Sequence, residues 1–454
     1  MERISTVSIK VVRGWVVALA VLNVVRAMTL PVTPGEAWNY DRFVAPPWRE
    51  AFEHFDLNNH VLNTLLIRIS TARFHLTELS LRLPSLLGGL LYLWVAYRIA
   101  TRRFAPGTVA IAVLGLLTLN PMVLDGMSEA RGYGMALALL LWALELMLES
   151  AETFSLRKFN LAAVCLGLSV SAALAFAAPA SAMAAVFLGW GRGWVYPKGQ
   201  GRVFVLLSFL SAFMLLAIPI DHTAAGAFMA GATSLRQSLN EISEISLGTS
   251  LKVVWGAVRI GFGLLAAGSL VAGVRMWRRT TGGLIVLTSA TLSLTLVILL
   301  AANRWVHSRF PEGGAVYLVP LCTLVFTSIL LKWKHKAAQV VLYAASFGLM
   351  ALYLNALGFG TYAAGKQFAG GRVIAKKLRA EIGMRPARIG VSEAAEPVFN
   401  YYRTRLRQGN WERIERRPPT GRYDYYVLAG TDRTLVEERH LHVLYKDVGL
   451  TLAQ

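Results

Sequence analysis

Residues 282–302 read GGLIVLTSATLSLTLVILLAA, a run of twenty-one residues without a charged side chain. A helix of about 20 predominantly apolar residues spans the hydrocarbon core of a bilayer, so this run predicts a transmembrane helix. The whole chain has a matching composition, because 55% of its 454 residues are hydrophobic and only 16% are charged. A soluble domain carries roughly 25% charged residues, and disordered or disulfide-stapled chains have other compositions. The sequence therefore predicts an all-α polytopic membrane protein.

Apolar runs of similar length recur along the chain. An uncharged stretch at 160–191 fits either one tilted helix or two short helices broken near Pro179. With two helices, the short loops that are rich in Lys and Arg fall on one side, which the positive-inside rule places in the cytoplasm. We therefore predict eleven spans in the cytoplasmic (inner) membrane, with the N-terminus inside and the C-terminus outside. The other nine runs lie at about 14–30, 83–100, 105–124, 132–148, 203–220, 253–274, 282–302, 313–331 and 337–355.

The formal net charge of +20 is explained by these cytoplasmic loops, so we expect no nucleic-acid partner. The first apolar run has a basic start but lacks a small-residue cleavage site and carries Arg26, which indicates a retained anchor rather than a signal peptide. Cys165 and Cys322 lie inside apolar runs, which favours core side chains over a disulfide or a metal site.

Three regions are predicted to lie outside the bilayer on the outer face. In the first, residues 31–82, two amphipathic pieces at 48–55 and 59–70 are typical of interfacial helices. The second, residues 221–250, is rich in Gly, Ala and Ser and is predicted to be mobile. In the third, residues 356–454, strand patterns at 388–391 and 423–428 flank a helical pattern at 397–407, which predicts a small α/β domain. The expected domains are thus a membrane domain over 1–355, which includes the loop 31–82, and an external cap over 356–454.

Polar side chains that a bilayer would exclude concentrate on the predicted outer face, whereas the cytoplasmic loops hold basic residues and little else. Such residues usually mark a functional site, so the site is expected at the outer interface. The outer-face set is Glu36, Asp41, Asn59, His60, Arg82, Asp125, Glu129, Arg131, Tyr133, Arg304, His307 and Arg309.

Five short motifs in these regions resemble one family, the integral-membrane glycosyltransferases of the GT-C superfamily, in the branch of protein mannosyltransferases and aminoarabinose transferases. Their order, spacing and side of the membrane agree from about residue 14 to residue 355. The resemblance implies an inverting transferase that uses a polyprenyl-phosphate-linked sugar at the outer face. The motifs are PGEAW at 34–38, NNHVL at 58–62, TELSLRLPS at 77–85, SEARGYG at 128–134 and YLVPL at 317–321.

Two positions depart from the family pattern. The family usually has Asp-Glu in the first loop, whereas here Gly35 precedes Glu36, so Glu36 matches the second acidic position. Relatives often carry an Arg just before a late span, where this chain reads FPEGG at 310–314, with Arg309 directly before it.

Sugar transfer from a lipid phosphate needs a base for the acceptor hydroxyl and cations for the departing phosphate. Glu36 is the preferred base and Asp41 the alternative, while Arg82 and Arg131 can bind phosphate oxygens bidentately. His60 can orient the sugar or, with a carboxylate, hold a divalent cation. The candidate catalytic residues are therefore Glu36 and Asp41, and the candidate substrate-binding residues are Asn59, His60, Arg82, Glu129, Arg131, Tyr133 and Arg309.

Simpler roles exist for the same residues. Glu36 and Asp41 can be solvated carboxylates, Arg82 can snorkel at a helix end, His60 can be structural, and Glu129 and Arg131 can form a local ion pair. A transporter or lipid flippase is a different class, but the chain shows no inverted repeat and its polar groups lie at one rim. A third reading is a non-catalytic lipid-binding protein of the same fold, which Gly35 supports.

Overall fold

A computed structural model describes residues 2–52, 59–104, 107–190, 197, 199–221, 231–277, 283–311, 313–332 and 336–454. In these residues helices dominate, and four short strands form one sheet near the C-terminus. The helices are α1 (Glu2–Thr29), α2 (Pro34–Asn39), α3 (Trp48–Phe52), α4 (Val61–Phe74), α5 (Glu78–Arg103), α6 (Thr108–Thr118), α7 (Pro121–Gly126), α8 (Tyr133–Glu152), α9 (Leu156–Ala172), α10 (Ala177–Gly189), α11 (Gln200–Asp221), α12 (Leu235–Leu247), α13 (Lys252–Met276), α14 (Gly283–Val306), α15 (Leu318–Lys332), α16 (Lys336–Ala356), α17 (Gly371–Ile382), α18 (Glu396–Arg405) and α19 (Leu435–Glu438).

A helix forms at each of the eleven predicted spans, and the protein is a multi-pass membrane protein. In the described part of the chain, seven helical segments are long and apolar enough to cross a bilayer. They are α1, α5, α8, α13, α14, α16, and α15 together with the 3₁₀ turn Gly313–Tyr317 that precedes it. Shorter apolar helices occupy 108–118, 174–189 and 200–216, and α9 fills the remaining predicted position. The number of helices that actually cross the membrane stays a prediction.

The predicted division of the stretch 160–191 into two helices is seen in its described residues, which form the end of α9 and all of α10. The break is a single 3₁₀ turn at Leu174–Phe176, slightly before the predicted point at Pro179. Pro179 lies in the first turn of α10, where its missing N–H would have had no intrahelical partner and therefore costs nothing. In this region Cys165 is buried in the core, and no disulfide links it to Cys322.

The predicted mobile segment 221–250 contains a helix, so the prediction was wrong for residues 235–247. Ser234 caps α12 by accepting a hydrogen bond from the backbone N–H of Gln237, and Gly248 ends the helix in the left-handed conformation at φ 64°. Leu239 and Ile242 are buried, which explains why this amphipathic segment is fixed on the bundle. Residues 222–230 lie outside the described part of the chain.

The C-terminal region is a small α/β domain, as predicted. Its strands β1 (Ile389–Val391), β2 (Tyr425–Ala429), β3 (Val443–Lys446) and β4 (Leu450–Ala453) are ordered β1-β2-β4-β3. β1 is parallel to β2, and the other pairs are antiparallel. The strand patterns at 388–391 and 423–428 and the helix at 397–407 are confirmed by β1, β2 and α18. The sequence reading did not include β3, β4 or α17.

This cap shares a hydrophobic core with the loop of residues 31–82. Val32, Ala37 and Tyr40 from the loop are buried in one cluster with Val398 and Tyr401 of α18. The Tyr40 and Tyr401 rings meet edge to face with centroids 5.6 Å apart. The predicted helices in this loop form as α3 and α4, although residues 53–58 lie outside the described part of the chain. The loop is therefore packed between the membrane helices and the cap.

Candidate active site

The first predicted site residue, Glu36, lies in the short helix α2, within the loop of residues 31–82. Thr33 begins this helix with a capping box: its hydroxyl accepts from the Glu36 N–H at 3.2 Å, and its own N–H donates to Glu36 Oε2 at 2.9 Å. Pro34 follows at the first helical position, where its fixed φ is favourable. The local sequence thus turns the Glu36 carboxylate inward, and the residue is 0% exposed.

Glu36 and Arg82 form a bidentate pair. Arg82 Nε donates to Oε1 and Nη2 donates to Oε2, each at 2.7 Å. Oε1 also accepts the backbone N–H of Ala130 at 2.8 Å. Together with the Thr33 N–H, the carboxylate accepts four hydrogen bonds, which fills the lone-pair sites that a carboxylate offers. This environment is that of a structural anchor, because a further proton donor could be bound only by displacing one of these partners.

Arg82 is likewise enclosed by protein groups. Its Nη1 donates to the carbonyl oxygens of Ala27 at 3.2 Å and Leu30 at 2.8 Å, and its Nη2 donates to that of Pro31 at 2.8 Å. With its two bonds to Glu36, the guanidinium uses its whole set of five N–H donors. The alternative role for Arg82, snorkelling at a helix end, does not fit the structure, since Arg82 is 0% exposed. Direct contact with a substrate phosphate stays a prediction that this geometry disfavours.

The second part of the site is the loop between α7 and α8, which contains Ala130, the residue whose N–H binds Glu36. The Ala130 carbonyl accepts from Asn39 Nδ2 at 3.4 Å and from Asn63 Nδ2 at 3.3 Å, while its N–H is held by Glu36. The backbone between Glu129 and Arg131 is therefore fixed from both sides. A further hydrogen bond of 2.7 Å joins the Arg131 N–H to the Glu129 carbonyl.

Glu129 is a buried carboxylate with spare acceptor capacity. It is 6% exposed, and its hydrogen bond among the described residues comes from the Thr33 hydroxyl to Oε1 at 2.8 Å. Burial raises the pKa of Glu129 to about 7, the positive charge of Arg131 lowers it in part, and the negative charge of Glu36 raises it further. Glu129 therefore titrates near neutral pH, unlike an exposed glutamate.

Arg131 is partly exposed beside Glu129. Its guanidinium lies over the Tyr133 ring, 5.2 Å from the centroid, and makes one long hydrogen bond of 3.5 Å to the Tyr133 hydroxyl. Most of its N–H groups have no protein acceptor in the described part of the chain. Arg131 and Glu129 do not form the local ion pair that was considered as an alternative, since no N···O contact within 4.0 Å joins them.

His60 and Asn59 lie under the same rim. His60 is 4% exposed, neither ring nitrogen has a partner among the described residues, and its ring meets Tyr133 with centroids 4.9 Å apart. Burial and the nearby charge of Arg131 lower the pKa of His60 to about 3, so the imidazole is neutral. The Asn59 side-chain Oδ1 accepts a hydrogen bond from the Thr64 hydroxyl, whereas Asn59 Nδ2 has no partner among the described residues. These unpartnered polar atoms can hydrogen-bond a bound molecule.

The remaining predicted residues lie apart from this cluster. Asp41, in a π-helical turn after α2, pairs with Arg413 of the cap at 3.0 Å. Arg309 is exposed, and its Nη1 donates to the Gly231 carbonyl at 3.3 Å. The structure thus brings Glu36, Asn59, His60, Arg82, Glu129, Arg131 and Tyr133 together, whereas the described contacts of Asp41 and Arg309 are made elsewhere.

Sequence reasoning did not assign several residues that support the site. Tyr362 of the cap linker stacks under Arg82, 4.8 Å from ring centroid to guanidinium, and its hydroxyl donates to Ser128 at 3.2 Å. Arg26 forms a buried ion pair with Asp125, which also accepts the Ala363 N–H at 2.8 Å. The charge of Glu241, on α12, acts on Arg131. Of these residues, Arg26 and Asp125 had a sequence signal, as ionisable residues near the ends of predicted spans, whereas Glu241 lay in the segment predicted to be mobile.

No metal centre is found in the described residues, because they contain no group of three or more His, Cys, Asp or Glu side chains that could hold an ion. A divalent cation would have to rely on His60, a single carboxylate and groups of the substrate. The donor set that this part of the chain offers is therefore better suited to hydrogen bonding than to metal coordination.

The fold and the rim define a class: a multi-pass helical membrane protein with a GT-C-like fold and its polar cluster at one end of the bundle. ArnT from Cupriavidus metallidurans in the apo state matches with a TM-score of 0.50 and 14% identity over 97% of this chain and 98% of that chain. The same protein bound to undecaprenyl phosphate matches with a TM-score of 0.51 at 14% identity over the same shares. No protein-family model and no curated protein matches the sequence. The fold that the five motifs implied is thus confirmed.

Proposed function

We propose that this protein is an inverting glycosyltransferase that moves a sugar from a polyprenyl-phosphate-linked donor to an acceptor. Two findings support the proposal. The fold is shared over nearly the full length with ArnT, which has been seen with undecaprenyl phosphate bound. In addition, the outer rim combines a cation, a carboxylate and neutral hydrogen-bonding groups. The N-terminus is proposed to be cytoplasmic and the rim to face the outside of the cytoplasmic membrane.

The observation that carries the proposal is the state of Arg131. A partly exposed guanidinium, most of whose N–H groups have no acceptor among the described residues, can bind phosphate oxygens bidentately. The Tyr133 ring beneath it holds the side chain in place. In the transfer, the bond between the anomeric carbon and the phosphate oxygen breaks, and the polyprenyl phosphate leaves as an anion. Arg131 would stabilise that developing charge, so no general acid is needed.

The sugar is proposed to lie against Tyr133, His60 and Asn59. An aromatic face and unpartnered neutral donors and acceptors suit a ring with several hydroxyl groups. Because the imidazole is neutral, it presents one donor and one acceptor rather than a charge.

Glu36 and Arg82 are proposed to act as positioning residues. Their pair fixes the Ala130 backbone, and this backbone places the side chains of Glu129 and Arg131. The earlier expectation that Glu36 is the base is therefore replaced, because its four acceptor sites are occupied by protein donors.

The test uses the full-length protein in lipid nanodiscs, with undecaprenyl phosphate as the binding probe. Arg131→Ala should weaken binding, and Arg131→Lys should recover little of it because the planar fork is lost. Arg379→Ala, at an exposed position on the cap helix α17, is the matched control and should bind as the wild type does. Equal affinity in all three variants would contradict the proposed phosphate site.

Activity is then tested with a panel of undecaprenyl-phosphate-linked pentoses and hexoses, with release of undecaprenyl phosphate as the signal. Turnover that Arg131→Ala lowers by about 10²–10³-fold would support the transferase, a loss typical of removing one charge-stabilising donor. Binding without turnover of any donor would favour the non-catalytic alternative. Movement of the lipid between leaflets without sugar transfer would favour a flippase.

A further inference from the structure

We infer that Glu129, rather than Glu36 or Asp41, is the general base that takes the proton of the acceptor hydroxyl. This inference rests on the proposed function, since it assigns a step in the proposed transfer. It follows from comparing the acceptor capacity and the surroundings of the three carboxylates near the outer loop.

Glu36 is excluded by its contacts. A base must accept a hydrogen bond from the hydroxyl that it deprotonates. Both Glu36 oxygens already accept two protein hydrogen bonds each, from Arg82, Thr33 and Ala130.

Asp41 is excluded by its position. Its carboxylate is 29% exposed and pairs with Arg413 of the cap. Its described contacts lie on the cap side of the loop, whereas the cation that would bind the phosphate lies on the loop between α7 and α8. An acid–base group must reach the reacting hydroxyl within about 2.6–3.2 Å or through one water.

Glu129 meets both conditions. Among the described residues it accepts a hydrogen bond only at Oε1, from Thr33, which orients the carboxylate and leaves acceptor capacity at Oε2. It lies two residues before Arg131 on a turn that the Glu36–Ala130 bond and the Arg131–Glu129 backbone bond fix. In this part of the chain no N···O contact within 4.0 Å joins the carboxylate to the guanidinium, so the two groups are not paired with each other. An inverting displacement requires the base and the phosphate-binding cation to flank the sugar, and we propose that these two groups do so.

The charged groups around Glu129 fit this role. Arg131 favours the ionised form, whereas burial, Glu36 and Asp125 favour the protonated form. Their balance puts the pKa of Glu129 at about 7, where a group can both take and release a proton at neutral pH. Among the described residues, neither oxygen has a bidentate partner that would hold it against proton transfer.

The proposed step balances as follows. The acceptor oxygen forms a bond to the anomeric carbon, and the bond from this carbon to the phosphate oxygen breaks. The electron pair of the broken bond leaves with the polyprenyl phosphate. The hydroxyl proton passes to Glu129, which later returns it to water.

Gly35 explains how the loop accommodates this arrangement. A Cβ at position 35 would lie 3.3 Å from Cδ and Nε of Arg131, closer than side chains normally pack. The absence of a side chain therefore gives Arg131 its place beside Glu129. The space that an Asp side chain at position 35 would need is here taken by the side chain of Arg131.

The experiment compares Glu129→Gln with Glu36→Gln and with Glu438→Gln, an exposed control on α19. Turnover of the active undecaprenyl-phosphate sugar is measured between about pH 5 and 9, on both sides of the pKa. Glu129→Gln should lower the rate by about 10²–10⁴-fold and remove its rise with pH near 7, while undecaprenyl phosphate still binds. Glu36→Gln should lose thermal stability and keep the rise with pH in the activity that remains.

A second readout does not depend on activity. Protonation of Glu129 removes a carboxylate beside Arg131, so wild-type affinity for undecaprenyl phosphate should change near pH 7 in a way that Glu129→Gln lacks. A Glu129→Gln variant with wild-type turnover and an unchanged pH profile would overturn the inference. If the wild type does not bind undecaprenyl phosphate at all, the proposed function itself is contradicted. The failure of the inference and the failure of the proposed function are therefore distinguishable.

Discussion

Gly35 and Arg131 lie against each other, and a Cβ on Gly35 would stand 3.3 Å from the Arg131 side chain. We predict that Gly35→Asp places a carboxylate on the guanidinium and neutralises it. Affinity for undecaprenyl phosphate should fall about tenfold or more, which corresponds to about 1.4 kcal/mol. Gly35→Ala adds the crowding without the charge and should have a smaller effect. Equal losses in both variants would mean that space, rather than charge, matters at this position.

The Glu36–Arg82 pair is expected to dominate the stability of the outer loop. Removing one partner of a buried ion pair leaves an uncompensated charge and typically costs about 3–5 kcal/mol. Arg82→Ala should therefore lower the thermal midpoint in detergent strongly. The double variant with Glu36→Gln should lose less than the sum of the single losses, since the two residues are in contact. Additive losses would show that the pair is not coupled.

His60 gives a stability prediction with a defined sign. Its pKa is lowered from 6.5 to about 3 in the folded protein, so between these values the unfolded chain binds more protons. Stability should therefore rise with pH across this window and be lost as the pH falls below about 6.5, with a limiting slope of about 1.4 kcal/mol per pH unit. His60→Asn should flatten this dependence in thermal unfolding. The same slope in the variant would assign the acid sensitivity to other groups.

Glu78 is predicted to hold the cap on the membrane domain. Its carboxylate is 3% exposed and pairs with Arg372 at 3.0 Å and with Arg405, both from the cap. Glu78→Gln should increase hydrogen exchange in residues 31–52 and in α18 together, because they share one core. Exchange that rises in α18 alone would show that the loop keeps its structure without this tether. Glu438→Gln again provides the exposed control.

The orientation gives a further test. A reporter fused after Gln454 should lie outside the cytoplasm, and one placed near Arg275, at the end of α13, should lie inside. If both reporters lie on the same side, the division into α9 and α10 does not add a span. The sides of all later loops would then be reversed.

The sequence predicts the helices well because apolar run length is a local property. The eleven apolar helices, which include α9 and α10, and the cap elements β1, β2 and α18 all correspond to runs or alternating patterns in the sequence. α12 was missed because its Gly-, Ala- and Ser-rich surroundings indicate a loop, and only tertiary packing of Leu239 and Ile242 shows why it is ordered.

The site is harder to predict because its contacts join distant residues. The motifs placed Glu36 and Arg82 near the same interface, but no local pattern shows that they bind each other across 46 positions. The hydrogen bond from the Val32 N–H to the Tyr402 hydroxyl spans 370 positions. Whether a carboxylate is saturated or available depends on such long-range partners, which explains why sequence reasoning favoured Glu36 over Glu129.

The core shared by the first outer loop and the cap has a consequence for biogenesis. Ribosomes deliver residues 31–82 long before β4, so Val32, Ala37 and Tyr40 emerge with their apolar surface uncovered. In the proposed orientation, they can be buried only after the last span has been inserted and the cap has crossed the membrane. Assembly of the rim is then the final event of folding, and a partly translocated chain would keep Arg131 and Glu129 on an unfinished loop. Such a chain could be anchored in the bilayer and still be inert.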